Sequence, residues 1–188
     1  ENRRDYSIAP PLNLLDVLIK NAISVYSVGK IEDIFAHRGI TRGNHAGNNP
    51  DSLKATLSFF EESRGEKVFI FTNLVDFDML YGHRRDPGGY ARSMVELDTF
   101  LPRILEKMTP EDCLILTSDH GCDPTFRGFD HTREYVPLVA YSPKFGGKKL
   151  ADRASFSDVA ASIMDAYGIS AVELPGSGKS FLDKKKYR

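Results

Sequence analysis

Five side chains that commonly bind divalent metal ions occur in three short segments of this 188-residue sequence. They are Asp78 with His83, Asp119 with His120, and His131. Aspartate offers a carboxylate oxygen and histidine an imidazole nitrogen, which are ligands of Zn²⁺ and of other transition-metal ions. Five such ligands predict a site for two metal ions. Because pairs of divalent ions assist reactions of phosphate groups, the site predicts phosphate chemistry.

Segments that are typical of buried strands lie beside these residues. Residues 67–72 and 113–117 are apolar runs that are too short for helices and rich in strand-forming residues. The second run leads directly into an Asp-His pair, and residues 135–141 predict a third strand after His131. Because ligand sites in parallel sheets lie at the carboxyl ends of the strands, we expect the five side chains to share one edge.

Helical patterns separate the predicted strands. Apolar residues recur at helical spacing in residues 12–19 and 90–108, and Asp51 or Ser52 is predicted to cap a further helix. Ser155 is the predicted cap of a last one. This alternation predicts an α/β fold with a largely parallel sheet flanked by helices, and the Gly- and Asn-rich residues 38–50 predict an exposed loop.

The composition is that of a globular domain, with 41% hydrophobic and 27% charged residues. The 25 basic and 26 acidic residues nearly cancel, so no overall field attracts nucleic acid or an anionic membrane. No apolar run approaches the roughly 18 residues of a membrane span, and we expect a soluble, cytoplasmic protein. Two cysteines form no disulfide framework.

Each part of the predicted site also has a simpler interpretation. Asp119 has an alternative role as the cap of a turn, and Asp76 competes with Asp78 as a ligand. A single histidine in a loop, such as His131, is more often exposed than bound to a metal. Cys122 is an alternative ligand without a CxxC partner. The metal prediction therefore rests on the convergence of three segments at one sheet edge.

Two other patterns are not assigned to this site. His37 and His45 lie in the predicted loop without carboxylate partners at strand ends. Residues 176–180 resemble the end of a P-loop, but Glu173 stands where the full motif requires glycine. Only eight residues follow this segment, too few for the helix of a P-loop, and it is predicted to be a surface tail.

Longer motifs resemble phosphopentomutases of the prokaryotic type, a family in the alkaline phosphatase superfamily. The matching segments are residues 72–78, 81–86, 118–125 and 130–134, with shorter matches at 4–6, 28–31, 33–35 and 178–181. The resemblance spans nearly the whole chain. It implies that residues 11–188 form the C-terminal half of an alkaline-phosphatase-like core, and that residues 1–10 end the connection from a cap domain.

The resemblance implies an isomerase-class phosphotransferase that interconverts ribose or 2-deoxyribose 1-phosphate and 5-phosphate. It further implies two Mn²⁺ ions, a phosphorylated threonine and a sugar bisphosphate that acts as intermediate and activator. By motif, one metal is assigned to Asp78, His83 and His131, and the other to Asp119 and His120. Lys30 matches a position near the substrate phosphate. The ligand types alone do not distinguish Mn²⁺ from Zn²⁺.

The threonine nucleophile of the family and one further Asp ligand are not among these 188 residues. Thr72, Thr117, Ser118 and Thr132 are not accepted as substitutes, because none has a matching strand-to-helix context. We therefore expect the N-terminal half of the same protein as a partner. The alternatives are a non-catalytic metal-binding fragment, a cofactor-independent phosphoglycerate mutase or a metal-dependent phosphatase.

Overall fold

A three-stranded parallel sheet forms the first part of the fold. The structure, a computed structural model, describes residues 8–182. Strand β1 (Ser24–Val28) lies between β2 (Arg42–Asn44) and β3 (Val68–Thr72). Tyr26 is opposite Arg42 on one side and Ile70 on the other. The prediction of a parallel sheet flanked by helices is confirmed, whereas the predicted loop over residues 38–50 contains β2.

Five α-helices connect and cover the strands of residues 8–182. They are α1 (Leu14–Lys20), α2 (Ile31–Ile34), α3 (Asn49–Glu62), α4 (Pro87–Leu105) and α5 (Ser157–Ala166). A π-helix at Phe77–Gly82 and a 3₁₀-helix at Ala171–Glu173 complete the helical segments. Within these described residues, no helix combines the length and the apolar character that crossing a membrane requires.

Two helices begin earlier than the sequence predicted, because other residues cap them. Asn48 caps α3, and its Oδ1 accepts a hydrogen bond from the amide of Asp51 at 2.9 Å. Asp86 caps α4 by accepting from the Gly89 amide at 2.8 Å. Each helix has a proline in its first turn, where a missing amide hydrogen has no cost.

A second, two-stranded sheet follows α4. Its strands β4 (Leu114–Thr117) and β5 (Leu138–Tyr141) are antiparallel, so the expectation of a parallel arrangement does not extend to β5. The physical reason is the connection: residues 118–137 contain no helix that would return the chain to the opposite end of the sheet.

Both sheets pack on one hydrophobic core. Its buried centre contains Leu15, Leu18, Ile23, Val25 and Ile163. Phe69 and Phe71 of β3 and Ile115 of β4 pack against this cluster. All five residues of β3 are only half-buried, whereas the sequence predicted a buried strand. Much of the apolar surface of β3 thus lacks complete cover within residues 8–182.

The segment that resembles a P-loop packs against α5. The Lys179 amide donates to Asp158 Oδ1 at 2.8 Å, and the Phe181 amide donates to Ser162 Oγ at 3.0 Å. Ser177 is buried, so the prediction of a surface tail is wrong for this residue. The predicted end of a cap connection at residues 1–10 falls mostly on residues 1–7, which lie outside the described range, as does the lysine run at 184–186.

Candidate metal centre

The π-helix after β3 brings Asp78 and His83 to the same place. A π-helix is closed by hydrogen bonds from residue i+5 to residue i. The His83 amide donates such a bond to the Asp78 carbonyl at 2.9 Å. The five-residue spacing that the sequence offered is therefore one wide helical turn, and both side chains leave it on the same face.

Three predicted ligands converge around a single carboxylate oxygen. Asp78 Oδ1 lies 3.3 Å from His83 Nε2 and 3.4 Å from His131 Nε2. One ligand atom from each of the three residues lies within 4.8 Å of the other two. Asp78 Oδ1 is buried and accepts no hydrogen bond. Such an atom is costly without a partner, and a divalent cation between the three residues would supply one.

The ring of His83 is oriented by the main chain of a distant loop. Its Nδ1 donates a hydrogen bond to the carbonyl oxygen of Phe129. Because a carbonyl only accepts, this contact places a proton on Nδ1, so that in the neutral ring the lone pair of Nε2 faces Asp78. A histidine held through its outer nitrogen in this way is typical of metal ligands.

A short bridge between Gly121 and Thr132 closes the loop that carries His131. The Thr132 amide donates to the Gly121 carbonyl at 2.9 Å. The Thr132 hydroxyl accepts from the Asp123 amide at 2.7 Å and donates to Glu134 Oε2 at 2.6 Å. A Cβ atom on Gly121 would lie 2.8 Å from the Thr132 carbonyl oxygen, so this close approach requires glycine.

Asp119 and His120, the second predicted pair of ligands, lie in different surroundings. His120 is beside the cluster, and Asp119 faces solvent. The ring of His120 stacks on that of His131, with centroids 3.7 Å apart. Asp119 has a side chain that is 81% exposed, and its Oδ2 lies 3.6 Å from His120 Nε2. The structure thus joins three of the five predicted ligands, places His120 beside them and leaves Asp119 outside. The ligand roles of all five stay predictions.

Cys122 lies next to Gly82 and Asp78. A Cβ atom on Gly82 would lie 2.4 Å from the sulfur of Cys122, so the absence of a side chain at Gly82 makes room for it. Burial raises the pKa of the Cys122 thiol, and a hydrogen bond to Asp78 raises it further. The raised pKa keeps the Cys122 thiol protonated beside Asp78, so that it adds no charge to the cluster.

Asp76, which competed with Asp78 in the sequence, has a different role. It is buried, and its Oδ2 accepts a hydrogen bond from the Asn49 amide at 2.7 Å. The Asp76 amide in turn donates to Asn49 Oδ1 at 3.0 Å. This reciprocal pair joins the start of α3 to the segment after β3, so Asp76 is structural.

Most of this chain matches the sequence profile of a known family. The sequence profile described as the metalloenzyme superfamily matches residues 19–171, which include all five predicted ligands. The chain belongs to the metalloenzyme superfamily.

Curated relatives of this metalloenzyme carry the name phosphopentomutase. The chain is 48% identical to the one from Pseudoalteromonas translucida, over 97% of this chain and 44% of the relative. It is 49% identical to that of Caldanaerobacter subterraneus, over 96% and 45%, and 48% identical to that of Symbiobacterium thermophilum, over 97% and 46%. The chain therefore spans slightly less than half the length of these relatives.

A solved structure with a similar fold is that of the PH0037 protein from Pyrococcus horikoshii. The TM-score is 0.52 over 66% of this chain and 39% of the other, at 15% sequence identity. At this identity the likeness concerns the fold alone.

Lys30 of this metalloenzyme lines a depression that also contains Met79, the residue after Asp78. The depression has a volume of about 260 Å³ and is also lined by His45 and Gly47. Lys30 Nζ lies 2.6 Å from the sulfur of Met79, which is a weak acceptor.

The two histidines that the sequence left unassigned contact Glu32. Its carboxylate oxygens lie 3.0 Å from His37 and 3.1 Å from His45.

Sequence reasoning missed Arg85 at this site. Its guanidinium donates to main-chain carbonyls of the loop that carries His131, including that of Asp130 at 3.0 Å. The signal was present as the Arg-Arg-Asp run of residues 84–86, but a run of charges is also typical of a solvated surface. Nothing in the sequence indicates acceptors that lie about 40 positions away.

Proposed function

We propose that this chain supplies the metal-binding part of a phosphopentomutase, which interconverts ribose or 2-deoxyribose 1-phosphate and 5-phosphate. The observation that carries the proposal is the convergence of His83 and His131 on the unpaired, buried Oδ1 of Asp78. Its specificity for pentose phosphates rests on identities of 46–49% with curated phosphopentomutases. The cytoplasm is the expected location, with no membrane or nucleic-acid partner.

The proposed centre holds two Mn²⁺ ions, an assignment that comes from the family resemblance. Asp78, His83 and His131 hold one ion, and Asp119 with His120 hold the other. Bound divalent ions neutralise the charge of a phosphoryl group and stabilise the attacking and departing oxygens. Asp119 needs only a side-chain rotation to point inward, because it is exposed and its contact with His120 is local. A sugar bisphosphate is the proposed activator.

The phosphorylated threonine and one further Asp ligand are proposed to come from a segment outside these 188 residues. The hydroxyls near the site are engaged in local contacts. Thr132 donates to Glu134, Ser118 donates to the His120 carbonyl at 2.6 Å, and Thr72 lies 2.6 Å from the Thr56 hydroxyl. None of these three hydroxyls forms a hydrogen bond with Asp78, His83 or His131.

The proposed partner is the N-terminal half of the same protein. Among residues 8–182, β3 ends the three-stranded sheet and β4 pairs only with β5, so each has one edge without a strand partner. Both strands are followed by predicted metal ligands, and both pack on the same core. A further segment at these edges would cover Phe69 and Phe71 while delivering its own side chains to the metal centre.

Lys30 is the proposed contact for a substrate phosphate. Its ammonium projects into the depression beside Met79, which directly follows Asp78 in the chain. An anionic phosphate oxygen is a much stronger partner for an ammonium group than a thioether sulfur. A sugar phosphate that reaches Asp78 from this depression would therefore displace the contact with sulfur.

The test is Mn²⁺-dependent conversion of ribose 1-phosphate to ribose 5-phosphate. It is performed with the protein itself and with a chimera that joins this chain to the remaining part of the Caldanaerobacter relative. We expect turnover that Asp78→Ala and His131→Ala abolish and that Lys30→Ala lowers mainly through KM. Turnover of 3-phosphoglycerate or simple phosphate monoesters instead would assign a different metalloenzyme. Metal binding without turnover in both proteins would favour a non-catalytic role.

A further inference from the structure

The guanidinium of Arg85 contacts the main chain at four places. Arg85 Nη1 donates to the Asp123 carbonyl at 2.6 Å and to the Gly82 carbonyl at 3.2 Å. Arg85 Nη2 donates to the Asp130 carbonyl at 3.0 Å, and Nε donates to the Gly128 carbonyl. Three of these acceptors lie in residues 121–131, the loop that ends at His131. A single side chain thus binds both ends of this loop.

Three consecutive carbonyl groups of the loop are directed at the segment that carries Asp78. The carbonyls of Gly128 and Asp130 accept from Arg85, and the carbonyl of Phe129 between them accepts from His83. His131 is the next residue, and its Nε2 lies 3.4 Å from Asp78 Oδ1. The position of His131 is therefore set by the hydrogen bonds of the residues directly before it, together with the Thr132 bridge directly after it.

Hydrophobic packing contributes little to this part of the loop. Residues 125–131 are all exposed, and Phe129 turns its side chain to solvent with 73% of its surface exposed. A loop without buried apolar surface opens readily unless polar contacts hold it. The guanidinium, with five donors in a planar fork, suits several carbonyls at once.

The backbone of Arg85 is in a left-handed conformation. Its φ is +54°, which is unfavourable for a residue with a side chain. The π-helix ends here, and the Arg85 amide donates to the Gly82 carbonyl while the Asp86 amide donates to the Tyr81 carbonyl. These two bonds have the pattern of a helix C-cap, in which glycine is common at the left-handed position. Arginine at this position adds the contacts of its side chain with the loop before His131.

We propose that Arg85 is a positioning residue for the metal centre, which holds His131 against Asp78 by binding the carbonyls of the loop before it. The inference rests on the proposed metal site and deepens it. The hydrogen bonds of Arg85 go to main-chain carbonyls and not to the side chains of Asp78, His83 or His131. Arg85 has two opposite effects on cation binding. Its positive charge repels a cation, whereas its hydrogen bonds order the loop and thereby favour cation binding.

The test compares Arg85→Met with Arg84→Met. Arg84 is a matched control because it carries the same charge at the neighbouring position and, within residues 8–182, its one hydrogen bond goes to the Met79 carbonyl at 3.3 Å. Binding of Mn²⁺ to the purified protein is followed by the electron paramagnetic resonance signal of the free ion. We expect Arg85→Met to weaken binding about 10- to 100-fold, as loss of an orienting contact around a metal site does. Arg84→Met should leave the affinity unchanged or strengthen it.

Hydrogen exchange in the metal-free protein provides a second measurement. Amides of residues 121–132 should exchange faster in Arg85→Met, while those of β1 and α1 keep their protection. Arg85→Lys retains the charge but lacks the planar fork, and should show the same faster exchange even if Arg85→Met does not fold. Unchanged exchange in Arg85→Lys, or unchanged Mn²⁺ affinity in a folded Arg85→Met, would overturn the proposal.

Failure of the metal centre and failure of the Arg85 role would give different results. If wild-type protein binds no Mn²⁺, the proposed metal centre is wrong, whereas the exchange measurement still decides whether Arg85 holds the loop. If wild-type protein binds Mn²⁺ and both arginine variants bind it equally well, the metal centre stands and the positioning role is wrong.

Discussion

The ring of His120 stacks on the ring of His131, with 3.7 Å between centroids and 23° between planes. These residues come from different predicted metal sites, since His131 faces Asp78 and His120 follows Asp119. The stack is the contact that connects the two sites. A change at His120 would therefore act on the proposed second ion directly, and on the proposed first ion through the position of His131.

His120→Phe separates these two effects, because phenylalanine keeps an aromatic ring and removes the nitrogen ligand. In the chimera that supplies the further Asp ligand, we expect two Mn²⁺ ions per chain, and one ion when His120→Phe is introduced, as measured by equilibrium dialysis. His120→Ala loses the stack as well and should also weaken binding of the remaining ion. Two ions in the His120→Phe chimera, or one ion in the unsubstituted chimera, would contradict the two-metal proposal.

Asp78→Asn removes the charge on which both histidines converge. We expect it to abolish stabilisation by Mn²⁺, which is about 2.7 kcal/mol at 100 times the dissociation constant. Without metal, Asp78→Asn should be as stable as wild-type protein or more so, because the buried Oδ1 lacks a hydrogen-bond donor. Thermal unfolding with and without Mn²⁺ measures both effects. Equal metal stabilisation in wild type and variant would exclude Asp78 as a ligand.

Asp76→Ala should lower stability without metal and keep the stabilisation by Mn²⁺, which is the opposite of what we expect for Asp78→Asn. It removes the carboxylate that accepts from the buried Asn49 amide, and we expect a loss of about 1–3 kcal/mol in the free energy of unfolding. The further increase that Mn²⁺ causes should be the same as in wild-type protein, since Asp76 is not directed at the cluster. Urea unfolding with and without metal tests this, with Asp78→Asn as the comparison.

The contact of Asp158 with the C-terminal segment should make stability depend on acid pH. The Lys179 amide, with help from Arg153, holds the pKa of Asp158 below its usual value. A lowered pKa in the folded state stabilises the protein above the unfolded value of about 3.9, and this contribution disappears as pH falls through the folded value. Asp158→Asn should therefore be less stable at pH 7, by about 1.5–3 kcal/mol, and the difference should vanish in stronger acid. Asp152→Asn, at an exposed position, should have no such effect.

Tyr167 should contribute to stability at neutral pH and lose this contribution in alkali. Its hydroxyl donates to the Val68 carbonyl of β3 at 2.7 Å, and burial raises its pKa to about 12. Because the folded value lies above the unfolded value of about 10, the contribution is complete below pH 10 and decreases as pH rises toward 12. Tyr167→Phe should lower the free energy of unfolding by about 1 kcal/mol at pH 7. Between pH 10 and 12 the variant should lose less stability than wild-type protein. Tyr135→Phe, at an exposed position, is the control.

The local chemistry of the chain was predictable from its sequence. Residues 67–72 and 113–117 were predicted to be strands, because each is a short apolar run rich in strand-forming residues, and β3 and β4 lie within them. The residue types of the candidate metal centre were also evident, because few side chains offer oxygen and nitrogen ligands. The five-residue spacing of Asp78 and His83 is visible in the sequence, although the π-helix that explains it was not predicted.

Only the tertiary structure decided which of two neighbouring aspartates faces the histidines. Asp76 and Asp78 occur in the same polar segment, and the partner of Asp76, Asn49, is 27 positions away. The direction of β5 and the contacts of Arg85 likewise depend on a loop that returns to a distant segment. The physical reason is common to these cases: sequence patterns report the energy of neighbours along the chain, whereas a site is formed by contacts between segments whose separation the chain does not encode locally.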